Sequence, residues 1–529
     1  MFRSVVPLVV ALAVTAAAAS AVPAAAAAPG AGPGGPAPVT DPAALVNPLI
    51  GTSGGGDTFP GPDMPFGMIQ WGPDTSPSRP DGGGYSATAT SLTGFSLTHL
   101  SGPGCGAYGD VPILPTVGAI GGSPATATES FSHATETAQA GYYAVTLGDG
   151  VAVQLTDTTR AGIGAFRFPA TTQANLLLKL DDSQEQVDAT SAQVVGDDEV
   201  TGSVTSGHFC GEPSITENDY TLHFDIVFSQ PFTASGTWGG TTAAGGAVTN
   251  PVGLYLTFDT TADQTVTARA GISFTSAANA GLNLRTEIGA RDFGQVERAS
   301  HDAWNRVLRR IQISGGSAAA QAQFYTALYH ALLDPSVFSD DNGQYTGMDG
   351  AVHTAAPGHQ QYANFSGWDI YRSQVQLAAL VAPGATSDAV TSMLNDYRQT
   401  GQLPKWGLAD GETYVQVGDP ADPIIADAYA FGARDFDTSA ALAAMIHQAT
   451  APNNIRPGLA TLAQDGYLPY DGSYGCCNFY GPVSTQLEYD TADYAIASLA
   501  RATGHAADYR RFAAQAQDWQ NVFNVETGY

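Results

Sequence analysis

Ala303-Trp-Asn-Arg-Val-Leu-Arg-Arg-Ile311 is the stretch where the hydrophobic period changes. Its apolar residues Ala303, Trp304, Val307, Leu308 and Ile311 recur at helical spacing and predict one linker helix within residues 286–316. Upstream, residues 41–285 alternate instead. Tyr143/Val145/Leu147, Val151/Val153/Leu155, Tyr220/Leu222/Phe224/Ile226/Phe228 and Leu254/Leu256/Phe258 each read as a half-buried strand, with Gly, Asp, Thr and Ser clusters between them. That is the pattern of a β-sandwich. Downstream, residues 317–529 carry helical periodicity at 318–333, 368–381, 386–400, 421–432, 438–447, 485–502 and 506–523. Long Gly/Pro/aromatic loops alternate with short turns between these segments. A toroid of paired helices with elaborate loops at one mouth needs that alternation. The expectation is a multidomain α and β protein: a sandwich packed on an (α/α)6 barrel that is incomplete in this chain.

Residues 1–40 stand apart. Arg3, an apolar run over 5–22 and an Ala-rich continuation read as a signal peptide, followed by a Pro/Gly/Ala tether. A secreted protein is expected, with no membrane association after cleavage. The full chain has 529 residues, 49 Asp+Glu against 20 Lys+Arg, and a net charge of −29. Such acidity excludes nucleic acid and anionic membranes as partners. Four cysteines, Cys105, Cys210, Cys476 and Cys477, are too few to serve as a scaffold. Three pairings stay open, one of them a vicinal Cys476–Cys477 bond.

Two familiar motifs fail on context. Gly104-Cys-Gly-Ala-Tyr-Gly109 matches a dinucleotide fingerprint but runs into Asp110-Val-Pro, a strand rather than a helix N-terminus. Gly51-Thr-Ser-Gly-Gly55 matches a hydrolase elbow, yet no helix follows Ser53. Asp340-Asp-Asn-Gly343 starts like a calcium loop but lacks the later Gly and Glu, so a turn is the better reading.

Asn364-Phe-Ser-Gly-Trp-Asp-Ile-Tyr-Arg372 is the richest stretch for a ligand. A flat ring, a carboxylate and a guanidinium fork crowd one helical turn, with Trp368 and Arg372 on one face. Sugars are held by such sets, through a C–H face on the ring and hydroxyls on fixed polar groups. An ordinary aromatic helix start, with Asp369 favoured by the helix dipole, has the same composition. Glu412 is the exposed-looking loop carboxylate among the candidate contacts. Glu488, three residues after Thr485, reads as a capping-box residue. Asp427 reads as a paired residue within an apolar helix.

A dozen further stretches fall into one order: Val46-Asn-Pro-Leu-Ile-Gly-Thr52, Thr58-Phe-Pro-Gly61, Pro65-Phe-Gly-Met68, Gly94-Phe-Ser-Leu-Thr-His-Leu-Ser-Gly102, Phe131-Ser-His133, Phe324-Tyr-Thr-Ala-Leu-Tyr-His330, Gly347-Met-Asp-Gly350, Trp368-Asp369, Leu403-Pro-Lys-Trp406, Gly411-Glu-Thr413, Ile425-Ala-Asp427 and Leu487-Glu-Tyr489. Together they resemble glycoside hydrolase family 92, the calcium-dependent exo-α-mannosidases. The resemblance implies terminal α-mannose release from N-glycans or mannans with inversion. Inversion needs an acid and a base roughly 6.5–9.5 Å apart.

It further implies that Asp369 contacts the terminal mannose beside Trp368, that Cys210 lies on a sandwich loop reaching toward the sugar, and that His99 and Cys105 belong to the strand and loop beside it. Arg372 and Glu412 complete the expected substrate set. The family's acid, base and main calcium ligands have no matching motif here, and are expected beyond Tyr529. The chain is accordingly expected to be an inactive fragment of a longer enzyme. The early loop Arg79-Pro-Asp-Gly-Gly-Gly-Tyr85 lacks the Trp of many α-1,2-active members, which leaves the linkage open. Two other readings compete: a non-catalytic glycan-binding or structural protein, and a different (α/α)6 glycosidase with Glu412 among its catalytic groups.

Overall fold

The computed structural model describes residues 37–211, 218–242, 247–470 and 481–528. The segment read as a signal peptide and both Cys476 and Cys477 fall outside the described residues.

The alternating segments form one twelve-stranded sheet, antiparallel throughout. Along its path the strands run Ile113–Val117, Ala174–Lys179, Ala247–Phe258, Gln186–Val195, Glu199–Gly207, Tyr220–Phe228, Thr265–Ser273, Ala161–Arg167, Ala152–Asp157, Tyr142–Thr146 and Thr137–Gln139. Ala234–Thr242 adds to the long strand Ala247–Phe258. Phe228 and Phe258 sit three strands apart along this path, which would separate them by roughly 14 Å on a flat sheet. Their rings are instead 5.5 Å apart. The sheet folds back on itself, and its inward faces share one core. Trp71 plugs the middle with its indole N–H on Phe95 O at 3.2 Å. Gly162 and Gly164 make room for it, since a Cβ at either would lie within 2.9 Å of the Trp71 ring.

Eleven α-helices follow among the described residues: α1 Ala277–Glu287, α2 Phe293–Leu308, α3 Ala318–His330, α4 Gly367–Ile370, α5 Gln374–Val381, α6 Pro383–Thr400, α7 Ala421–Phe431, α8 Thr438–Gln448, α9 Leu459–Asp465, α10 Pro482–Ala502 and α11 Ala506–Gln515. The linker helix is α2, opened by a capping box of Asp292 and Gln295. Two departures from the sequence reading bear on the site. The segment 368–381 is two helices, because Gln374 turns its amide onto the carbonyls of Ala331 and Asp334, breaking the ladder at Tyr371–Ser373. Helix α10 begins at Pro482, a turn before Thr485, so Thr485 and Glu488 form no capping box. Proline supplies the N1 position, and Glu488 is released for other partners.

Sandwich and helices lock together through buried polar contacts. Tyr108 donates to Asn364 Oδ1 at 2.9 Å, and Arg160 reaches Glu287 at 2.7 Å and Ser339 O at 2.6 Å. Phe66 N–H bonds Leu332 O at 2.9 Å, and Val337 N–H bonds Phe66 O at 2.9 Å.

Candidate functional site

A cleft of about 610 Å³ opens where the two halves meet. The sandwich contributes Leu100, Ser101, Gly102 and Pro103; the helical half contributes His330, Asp334, Asn364, Ser366, Asp369 and Trp406. Its wall is polar enough to hold a sugar, unlike the apolar hollow of about 370 Å³ between α5, α6 and α7.

Asp369 sits at the start of α4 with Oδ2 accepting from Ser366 Oγ at 2.7 Å and Gln416 Nε2 at 2.6 Å. Those bonds fix the carboxylate while leaving it exposed. Asp334 accepts from Ser336 Oγ at 2.9 Å, and burial raises its carboxyl to about 6 against the pull of Ser336 and the Ser101 amide. His330 is driven down to about 4 by burial and is neutral at pH 7, with Nε2 unpartnered. Trp406 is 1% exposed, lies 4.6 Å from Phe209 ring to ring, and leaves its Nε1 without an acceptor. It therefore both packs between the halves and floors the cleft. Non-glycine residues with positive φ gather around it: Asn364, Ala409, Tyr414 and Gln416 at φ 66°, 49°, 56° and 71°. Strain of this kind is held where geometry matters to function.

Of the residues singled out in the sequence, Asp369 lines the cleft. Trp368 and Arg372 stand beside it but turn to Glu488, which also takes Tyr371 Oη at 2.8 Å; Arg372 lies 4.6 Å over the Trp368 ring. His99 does not face a ligand. It is fully buried, with Nδ1 2.8 Å from Gln70 O, Nε2 3.3 Å from Asp74 Oδ1 and its ring stacked on Phe59. It sits past the end of strand Ser91–Ser96 and immediately before Leu100–Pro103, so its buried contacts support the segment that reaches the cleft.

Cys210 is bonded to Cys105, with Cα atoms 5.2 Å apart, which closes the pairing the spacing left open. Glu412 is buried rather than exposed: its carboxylate accepts from the amides of Lys405, Trp406 and Tyr414 at 2.6, 3.2 and 2.6 Å. It clips the hairpin that presents Trp406. Asp427 is paired, with Gln376 Nε2 at 2.5 Å.

The sequence reading missed Asp334, His330 and Asn364. His330 closes the motif Phe324–His330 and Asn364 opens the stretch Asn364–Arg372, but no local pattern gives either a role, and Asp334 lies in none of the quoted stretches. Among the described residues one cluster offers three metal-type ligands, Asp188, His208 and Asp219 on the sandwich surface, with His208 Nε2 2.9 Å from Asp188. None of its three residues lines the cleft.

The sandwich half, residues 45–273, matches the glycosyl hydrolase family 92 N-terminal domain, and residues 279–529 match the family 92 catalytic domain. A protein of Arthroderma benhamiae described as an uncharacterized secreted glycosidase is 26% identical over 92% of this chain and 63% of its own length. A family 92 α-mannosidase from Bacteroides thetaiotaomicron superposes with a TM-score of 0.84 at 29% identity, over 92% of this chain and 66% of that one. An inverting family 92 mannosidase from the same organism gives 0.82 at 27% identity, again over 92% and 66%. The chain thus spans under two thirds of the length of these relatives. With both domain models matched across the sandwich and the helices, the chain belongs to glycosyl hydrolase family 92.

Proposed function

We propose that the protein to which this chain belongs is a secreted exo-acting glycosidase that releases terminal α-mannose from N-glycans or mannans with inversion. The observation that carries this reading is the interdomain cleft, where a pinned but exposed Asp369 stands opposite the Ser101–Pro103 loop. An exo-enzyme needs a blind polar pocket that takes one ring and grips its hydroxyls. Asp369 accepts from a sugar hydroxyl, while His330 and Trp406 form the wall around it. The acid–base pair belongs to the proposal for the whole protein and is assigned to no residue here.

Calcium dependence is part of the reading through family membership. The cleft residues do not themselves fit a calcium cage, because Asp369 and Asp334 are already engaged by Ser366, Gln416 and Ser336. Secretion is proposed from the apolar leader and the relative described as secreted; no helix among the described residues is long and apolar enough to cross a membrane.

The test is mannose release from aryl α-mannoside and from α-1,2- and α-1,3-mannobiose, with calcium and with EDTA, following the product anomer by NMR. Mannose binding is titrated in parallel. Asp369→Asn is expected to weaken binding at least 10-fold without unfolding the protein. Wild-type binding carried over unchanged into Asp369→Asn overturns the cleft assignment. Mannose binding without hydrolysis by the whole protein favours the glycan-binding reading.

A further inference from the structure

A second constellation lies behind the cleft wall, on the far side of His330 and Asp334, where the sandwich meets α2 and α3. Asp63 opens a turn whose Gly67 N–H bonds Met64 O at 3.0 Å. The next residues lay that turn along the end of the strand carrying Asp157, through Met68 N–H and Ile69 N–H to Thr159 O at 2.7 and 3.3 Å. From the helical side Trp304 donates its indole N–H to Asp63 O at 2.6 Å. Its ring rests 4.3 Å from that of Tyr329 on α3.

Asp63, Asp157 and Tyr329 are fully buried. Both oxygens of both carboxylates, and the Tyr329 hydroxyl, lack hydrogen-bond partners. Ser300 Oγ, one turn before Trp304 on α2 and 1% exposed, lacks one too. The Met64 and Gly67 amides draw the Asp63 carboxyl down, but neither meets it in hydrogen-bond geometry. Burial, then the Asp157 charge, hold the Asp63 carboxyl well above its ordinary range. Burial and Glu287 do the same for Asp157, while burial and both aspartates raise the Tyr329 hydroxyl. The nearby cation Arg160 is committed to Glu287, Ser339 O and Gln360.

Buried oxygens left bare on this scale are not a resting arrangement in a folded protein. We propose that Asp63, Asp157 and Tyr329 form a structural site for one hard divalent cation of the calcium class, which ties the sandwich to α2 and α3. The donors are all oxygen, with no nitrogen or sulfur, and two carboxylates match a charge of two. The turn, the strand end and the helix that supply them come from both halves, so the ion acts as an interdomain rivet. The proposal is independent of the mannosidase reading and rests on different residues.

The experiment measures metal content and stability of the full chain, with terbium as the optical probe. Trp304 and Tyr329 stand at the site and sensitise bound terbium on ultraviolet excitation. The purified chain is expected to retain one calcium through gel filtration, and to melt about 3 °C lower after EDTA. Asp157→Asn is expected to lose the calcium, the terbium signal and the EDTA response, whereas Asp188→Asn at the surface cluster keeps all three. Tyr329→Phe, which removes only a hydroxyl, is expected to weaken terbium binding at least 3-fold. A wild-type chain that carries no cation and melts identically in calcium and EDTA overturns the proposal, whether or not the variants fold. So does terbium affinity unchanged in Tyr329→Phe, or an Asp157→Asn protein more stable than wild type in both solutions.

Discussion

Trp368 donates its indole N–H to Glu488 Oε1 at 2.9 Å, across 120 residues of chain. Tyr371 takes the other oxygen at 2.8 Å, and Arg372 adds a partly exposed contact at 3.2 Å. Helix α10 therefore holds the first turn of α4, and with it the carboxylate of Asp369. Glu488→Ala is expected to cost about 2 kcal/mol in stability, since two partly buried donors lose a charged acceptor. In the whole enzyme of the proposed function it should raise KM more than it lowers kcat, because it loosens binding geometry. Urea unfolding and mannoside kinetics check both; a wild-type KM would show that α4 is held without Glu488.

Arg456 is the hinge pin of the helical half. Its guanidinium meets Asp419, Asp422 and Asp493 at 2.6, 2.7 and 2.7 Å, and is 1% exposed. Asp419 in turn accepts from Gln448 Nε2, and Gln448 Oε1 takes Leu403 N–H at the root of the Trp406 hairpin. Arg456→Met is expected to destabilise the protein by about 3–5 kcal/mol, because three buried carboxylates lose their only shared cation among the described residues. The loss should shrink as pH falls, because burial raises the Asp422 and Asp493 carboxyls. Chemical denaturation at pH 5 and pH 8 measures the difference.

Stability should fall as pH rises from about 6.5 to 8. In the folded chain Asp410 and Asp490 are pushed up to about 7, chiefly by burial, and Glu185 to about 9. Unfolded, all three have already lost their protons in this window. The folded state then binds more protons than the unfolded one, so each step up in pH favours unfolding. His330, lowered to about 4, acts with the opposite sign, but only below about 6.5. Lys179 and Lys405, lowered to about 8, oppose it only above that pH. Melting temperatures at pH 6.5 and 8.0 in one ionic strength decide it; a higher value at 8.0 contradicts the argument.

The Cys105–Cys210 bond closes a span of 105 residues and joins the loop beside Ser101–Pro103 to the one before Asn218. Replacing both cysteines with alanine is expected to cost about 2–4 kcal/mol. Loosening the Ser101–Pro103 wall should also weaken mannose binding several-fold. Calorimetry and ligand titration on oxidised, reduced and double-variant protein separate the two effects.

The change of period at residues 303–311 was enough to divide the chain into a strand-rich and a helix-rich half, because side chains alternate on a pleat and recur every turn on a helix. Asp369 was legible too, since Trp368-Asp369-Arg372 concentrates sugar-type chemistry within one turn. What each side chain meets across the fold was not. Glu412 looked exposed because its loop is polar, yet three backbone amides of its own hairpin take the carboxylate inward. Glu488 looked like a cap because Thr485 precedes it, but Pro482 starts the helix a turn earlier and frees it for Trp368.

Asp334, His330 and Asn364 reach one cleft only after the sandwich docks on the helices. The bare oxygens of Asp63, Asp157 and Tyr329 are likewise a property of that docking. Local patterning is written in neighbours a few residues apart, and it set the elements and the family motifs. Burial and hydrogen-bond satisfaction depend on partners one or two hundred residues away, and these the tertiary structure alone decided.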